Sequence, residues 1–242
     1  MTHSPDKYLL FCTAMVRAQR AGRKTQTRRL VKPQPVGGGT VYYDELVVGR
    51  LVVRASDGCS AHWWKEQQCP YGEPGQLILG KETFTERDGG YVYKADGGRP
   101  PLRGWTPSIF MPRAACRIRL INTQVRVERL QEISAADCLA EGVDLTDGED
   151  PREAYRQLWN SLNLSPAPIY GQLKDNRRPV LGWVSYPWSR ADFEEKYPGV
   201  MAAGQFRGKR MEIYDNPLVW AITFTPAAAA VDLKVESCLS KE

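Results

Sequence analysis

Apolar positions recur along this chain with two periods. Phe11, Met15 and Ala18 stand at i, i+4 and i+7 with Arg17 and Arg20 turned away, which predicts a short amphipathic helix over residues 13–21. Gly22 follows as its natural stop. Alternation with a period of two then marks strands over residues 76–82, 91–93, 115–129 and 218–224, and a further short strand is expected within 45–54. In the third of these, Cys116, Ile118 and Leu120 alternate with Arg117, Arg119 and Ile121 before Val125 and Val127 resume the pattern. Two helices separate the last two strands. Ser134 with Asp137 resembles a capping box and Gly142 a stop, so the first helix covers residues 135–141. Asp150-Pro151 opens the second as an N-cap followed by proline at the first helical position. Ala154, Tyr155, Leu158, Trp159 and Leu162 form its apolar face.

Between these elements lie two long stretches without a clear period. One spans about residues 34–69 and contains Gly37-Gly38-Gly39; the other spans 164–215 and is rich in Pro, Gly and aromatic residues. Several spaced strands, few helices and Gly/Pro turns predict an α+β domain built on a small β-barrel, over residues 8–226, with two long insertions. Residues 227–242 offer little to pack and are expected to form a flexible tail.

With 242 residues, 42% hydrophobic and 25% charged, the chain has ordinary globular composition, so collagen-like, coiled-coil and disordered classes drop out. No run approaches the length of a membrane span, and the N-terminus has no signal-peptide pattern, so a cytoplasmic protein with no membrane association is expected. Lys and Arg number 33 against 28 Asp and Glu, a net charge of +5 that suits an anionic ligand or nucleic acid. The six cysteines contain no CxxC pair. Cys59, His62 and Cys69 offer three ligand types without a fourth at suitable spacing, so neither metal nor cofactor is expected.

Loud catalytic motifs are missing: there is no P-loop, GxGxxG, HExxH or GxSxG, and only two histidines. Lys, Thr and carboxylates remain. Lys24 and Thr27 lie in the basic, hydroxyl-rich stretch Gly22-Arg23-Lys24-Thr25-Gln26-Thr27-Arg28-Arg29. A threonine nucleophile needs a nearby base, and a lysine serves only if burial or positive neighbours lower its pKa. The same stretch also suits a turn that simply grips phosphates. Two carboxylates compete as the acid partner: Glu141 at a helix C-terminus, where the dipole disfavours its ionised form, and Glu82 at a strand end, which can instead pair with Lys24 or bind substrate. The segment from Trp105 through Ser108 to Arg113 reads as a pocket rim, a base-stacking platform or a packed loop. Trp183, Tyr186, Trp188 and Phe206, interleaved with basic residues in 164–215, suit either a lid or nucleic-acid contact.

The stretch 22–29 resembles the signature turn of the ASCH domain, a PUA-like β-barrel family. The likeness continues through Pro70-Tyr71-Gly72, Lys81-Glu82-Thr83-Phe84, Pro107-Ser108-Ile109-Phe110-Met111-Pro112-Arg113, Val127-Glu128-Arg129-Leu130, Ala140-Glu141-Gly142, Leu158-Trp159-Asn160 and Asn216-Pro217-Leu218-Val219-Trp220. This longer set is similar to the ASCH-like proteins of phages and prophages. The resemblance extends to the small bacterial N4-acetylcytidine amidohydrolases. It implies Thr27 as nucleophile, Lys24 as its base and Glu141 as proton donor. Arg29, Glu82, Ser108 and Arg113 stand beside them as substrate-binding candidates. The implied substrate is a small modified nucleoside or nucleobase. Arg28 departs from the small enzymes, which carry an apolar residue there. The family also includes RNA-binding modules and ribonucleases, so RNA stands as the alternative partner.

Overall fold

The computed structural model describes residues 6–34, 41–43, 50–54, 64–99, 104–170 and 179–227. Along the chain run β1 (Lys7–Leu10), α1 (Thr13–Arg20), β2 (Gln26–Leu30), β3 (Val41–Tyr43), β4 (Arg50–Arg54), β5 (Trp64–Gln68), β6 (Leu77–Lys81), β7 (Phe84–Arg87), β8 (Gly90–Tyr93) and β9 (Ile118–Arg129). There follow α2 (Ala135–Ala140), α3 (Pro151–Asn163), β10 (Ala167–Tyr170), β11 (Val180–Ser185), α4 (Arg190–Lys196), α5 (Val200–Ala203), β12 (Gln205–Phe206), β13 (Lys209–Ile213) and β14 (Leu218–Pro226).

The centre is a curled five-stranded sheet, a half-barrel in the order β1-β6-β9-β14-β2. Only the β1–β6 pair is parallel; the other neighbours are antiparallel. Strand β14 is buried on both faces, which sets its sequence apart from half-exposed strands. Trp220, Ile222 and Phe224 point into the curl, where they join Leu9, Phe11, Val16, Ile78 and Leu120 in the main core. Val219 points the other way and meets Leu130, Ile133, Cys138, Tyr155 and Trp159 beneath α2 and α3. Ser134 and Asp150 cap those helices as expected, accepting from the backbone N–H of Asp137 and Arg152.

Three stretches differ from the sequence-based expectation. Residues 26–30, expected as a basic turn, form the edge strand β2 beside β14. Their strand character is masked because carboxylates, rather than apolar neighbours, satisfy the side chain of the buried Arg28. Residues 164–215 contain a second sheet, β10-β11-β13-β12, with its own core around Leu164, Phe193 and Met211. Helices α4 and α5 cross between the parallel strands β11 and β13. Ser189 and Asp192 form a reciprocal capping box on α4. These elements are short, so none presents a full hydrophobic period. Within 34–69, the described strands β3, β4 and β5 form an antiparallel meander. Residues 228–242 of the expected tail lie outside the described residues, as do Cys59 and His62.

Gly80 on β6 lies opposite Ile118 on β9. A Cβ at this position would stand 2.6 Å from Ile118 Cγ2 and 3.2 Å from the Phe11 ring. The β-branched Ile118 is held by the core on its other side. Gly80→Ala is therefore expected to cost about 1–3 kcal/mol through overpacking. Urea unfolding reads this directly, and an unchanged midpoint would show that the β6–β9 contact relaxes freely.

Candidate active site

The site forms where the chain reverses from α1 into β2. The Ala18 carbonyl accepts from the backbone N–H of both Arg23 (2.9 Å) and Lys24 (3.1 Å). Thr25 then donates its N–H to Ala140 O at 2.8 Å, and its own carbonyl accepts from Phe224 at 2.9 Å. Residues 23–25 are thereby fixed against α1, α2 and β14 at once. From the other side, α2 ends at Glu141, and Gly142 turns the chain away with φ of 79°. This glycine is required twice. Its conformation is left-handed, and a Cβ there would fall 2.8 Å from Lys24 Cβ and 2.9 Å from Ala18 Cβ. The missing side chain is what lets Glu141 approach Lys24.

Lys24 is 3% exposed and Glu141 4%. The lysine Nζ donates to Glu141 Oε2 at 2.8 Å, to the Glu141 carbonyl at 2.7 Å and to the Gln26 carbonyl at 2.8 Å. All three ammonium hydrogens are thus committed. Burial pulls the Lys24 pKa below its ordinary value, while the Glu141 charge opposes that shift and Arg29 adds to it. Arg28, at 2% exposure, binds the other oxygen of Glu141 at 3.3 Å. It also donates to Glu128 at 2.6 Å and to Asp137 at 2.9 Å. Burial works against the guanidinium charge, but Glu141 and Glu128 outweigh it and strengthen its hold on the proton. Arg126 at 3.1 Å and the Gln26 amide at 3.0 Å complete the shell of Asp137.

Thr27 faces the inside of the half-barrel opposite Ile222 on β14, and is 1% exposed. Its hydroxyl makes no side-chain hydrogen bond among the described residues. Lys24, Thr27, Arg29 and Glu141 all open on one cleft of about 820 Å³. The cleft sits at the mouth of the half-barrel, between the unpaired edges of β1 and β2, and Arg29 spans that mouth by donating to Leu10 O at 2.7 Å. The arrangement offers a hydroxyl beside a buried, directly bonded ammonium–carboxylate pair, which can pass a proton without water. The expected direct contact of nucleophile and base is absent: Lys24 faces Glu141, its one buried counter-charge, and donates no hydrogen bond to Thr27.

Three other residues singled out in the sequence stand elsewhere. Glu82 is buried, but its two oxygens hold Arg117 at 2.7 and 3.0 Å, which locks the end of β6 to Asp96 and Tyr93 rather than to Lys24. Ser108 sits half-buried in a 3-10 turn (Ser108–Phe110) outside the cleft. Arg113 is 65% exposed and pairs with Asp6 at 2.9 Å. Conversely, Tyr71, Tyr155 and Trp159 line the cleft although nothing in their pattern marks them beyond hydrophobicity. Burial, reinforced by the Glu141 charge, raises the Tyr155 phenol well above its ordinary value, so it enters the cleft as a neutral hydroxyl. The one signal available was a helix stripe whose aromatic members, Tyr155 and Trp159, carry polar atoms among aliphatic neighbours. Cys69 is buried, which pushes its thiol up to about 11, and among the described residues no three His, Cys, Asp or Glu side chains gather around a metal position.

Replacing Arg28 with leucine would leave Glu128, Asp137 and Glu141 sharing fewer cations in a buried shell. The expected loss is about 3–5 kcal/mol in chemical denaturation, as for other broken buried ion pairs. A loss within about 0.5 kcal/mol, the range of ordinary surface changes, would mean that water replaces the guanidinium. Gly142→Ala should separate Lys24 from Glu141 and cost about 1–2 kcal/mol from its left-handed backbone alone. Comparison with protein-family models, with curated proteins and with solved structures gives no match.

Proposed function

We propose that this chain is a PUA-like barrel of the ASCH type and an amidohydrolase that removes the acyl group from N4-acylated cytosine nucleosides. The observation that carries the reading is the buried Lys24–Glu141 pair, 2.8 Å apart, opening with Thr27 into one cleft. These are the three positions that the resemblance to the small amidohydrolases implies. The curled five-stranded sheet is compatible with such a barrel. Aromatic walls from Tyr71, Tyr155 and Trp159 suit a flat base, while Arg29 provides a donor at the mouth.

In the proposed reaction the Lys24–Glu141 contact is the proton path. The proton shifts from Lys24 Nζ to Glu141 Oε2, a transfer that burial favours because it removes both charges. Neutral Lys24 then takes the proton of Thr27 as its Oγ1 attacks the amide carbonyl of the substrate. Collapse of the tetrahedral adduct breaks the C–N bond, and the Glu141 acid protonates the departing cytosine amine. Water hydrolyses the threonyl ester, which releases a carboxylic acid and restores the hydroxyl. The lone pair freed on Nζ by the first transfer faces Glu141 Oε2, so the amine must turn it toward Thr27 to accept the hydroxyl proton.

Purified protein with N4-acetylcytidine should produce cytidine, followed by ultraviolet absorbance. Thr27→Ala is expected to abolish turnover, and Lys24→Arg to reduce it at least about 100-fold, since a guanidinium keeps the charge but yields no base. Wild-type turnover across N4-acyl groups is the decisive measurement; none on any of them refutes the reading. Because the pair shares a single proton and that proton reaches the departing amine through Glu141, activity should fall with pH along a limb whose midpoint lies below the ordinary lysine value of 10.5, since burial depresses Lys24. Stability moves the other way. Protonated Lys24 is penalised in the folded state, so that penalty is relieved as pH climbs from the depressed folded value to the unfolded one.

A further inference from the structure

Two positive charges line the cleft without a carboxylate to meet them. Lys24 is matched by Glu141, and Arg28 by Glu128, Asp137 and Glu141. Arg29 and Lys32 form no ion pair among the described residues. Arg29 donates to the carbonyl oxygens of Leu10 and Arg28, and its guanidinium lies 6.0 Å from the Phe11 ring centroid. The Lys32 ammonium lies 5.6 Å from the Tyr186 ring centroid. Elsewhere Arg20, Arg23, Arg113, Arg117, Arg156 and Arg190 each hold a carboxylate, whereas Arg17, Arg129 and Arg152 donate to backbone carbonyls.

Leaving the half-buried Arg29 unmatched works against folding, whereas Lys32 is exposed at the rim. Arg29 is half-buried and near enough to Lys24 to disfavour the lysine charge. Glu141 is the one carboxylate on the cleft wall, against Lys24, Arg28, Arg29 and Lys32. A cleft with this excess raises the local concentration of anions. The excess also has a definite place. Arg29 follows Thr27 by two positions on β2, so its Cα lies roughly 7 Å along the strand, and Lys32 stands two residues beyond the end of β2 at Leu30. That spread fits a nucleotide whose base amine lies at Thr27 and whose phosphate reaches the mouth. The second sheet contributes here, because Tyr186 leads out of β11 and stacks on Tyr214 at 5.6 Å, which presents an aromatic face to Lys32.

We propose that Arg29 and Lys32 form a phosphate seat, and that the cleft therefore takes a phosphorylated nucleoside in preference to a neutral one. The cytosine base in this assignment rests on the amidohydrolase reading; the seat itself rests on the unmatched charges. The phosphate has two sources, a free nucleotide or the phosphodiester of a polynucleotide.

Calorimetric titration of the full chain with cytidine, cytidine 5′-monophosphate and the dinucleoside cytidylyl-cytidine, which has only an internal phosphate, tests the seat without requiring turnover. A phosphate-bearing ligand should bind at least about tenfold tighter than cytidine at low salt, the size of one or two charge-assisted contacts. That ratio should fall as salt screens the seat, and should approach one in Arg29→Gln/Lys32→Gln. Since Arg29 also ties the mouth to Leu10, the single change Lys32→Gln at the exposed rim gives a second reading and should lower the ratio several-fold. Preference for the monophosphate alone assigns a free nucleotide, and preference for the dinucleoside assigns a polymer; either supports the seat. Equal affinity for all three, or no binding of either phosphate compound, overturns it even if N4-acetylcytidine is hydrolysed. A preserved phosphate preference without hydrolysis of any acylcytidine would keep the seat and remove the amide reading.

Discussion

The buried ionic cluster of Lys24, Glu141 and Arg28 is the constraint on which the site and its surroundings depend. Each of these charges would cost several kcal/mol to bury alone. They are tolerated because they neutralise one another and because Gln26, Asp137, Glu128 and a backbone carbonyl take their remaining donors. The cluster joins elements far apart in sequence: β2, α2 and β9 meet through it. It also dictates composition nearby. Strand β2 must carry Arg28 where an edge strand packed under helices would ordinarily carry an aliphatic residue, and position 142 must be glycine for α2 to end against Lys24.

The half-barrel explains why the cluster borders a cleft instead of closing into a core. The sheet ends on β1 and β2 without pairing them, so the interior between these edges remains open. Thr27 and Arg29 point inward and Arg28 outward, as the two-residue period of a strand requires. One short strand therefore presents a hydroxyl and a guanidinium to the opening, while between them it anchors itself to the helices outside. Arg29 reaching Leu10 across the mouth replaces the missing strand pairing with a single charged hydrogen bond.

Where apolar periodicity carried the information, the sequence was legible. The helices at 13, 135 and 151 and the strands at 77, 118 and 218 begin within a few residues of their expected places, because caps and alternating apolar faces specify them. Polar interactions across long sequence separations were not legible. The carboxylates that make β2 a buried strand lie about a hundred residues further on at Glu128, Asp137 and Glu141. The second sheet was hidden for a different reason: its strands of two to six residues are too short to display a period. At the site, Lys24, Thr27, Arg29 and Glu141 were singled out from the sequence, and the fold gathers them in one cleft. Glu82, Ser108 and Arg113, also singled out, lie outside it. The motif around Glu82 fits a structural role equally well, since a buried carboxylate gripping Arg117 ties β6 to the β7–β8 hairpin.

The saturation of Lys24 bears on how such a site works. A lysine whose three hydrogens are all accepted is a poor base in its resting state, and its partner Glu141 is held on its other oxygen by Arg28. A bound ligand acts on this balance in two ways. A ligand that fills the cleft excludes water from the pair and raises the cost of its separated charges. That favours the neutral lysine and carboxylic acid. Arg29 pushes the same way by repelling the ammonium, whereas an anion placed on Arg29 would reduce that push. The two effects oppose each other, one acting toward the neutral pair and the other toward the ion pair. Arg28 meanwhile holds the second oxygen of Glu141 together with Glu128 and Asp137, and so gives the fold its buried anchor.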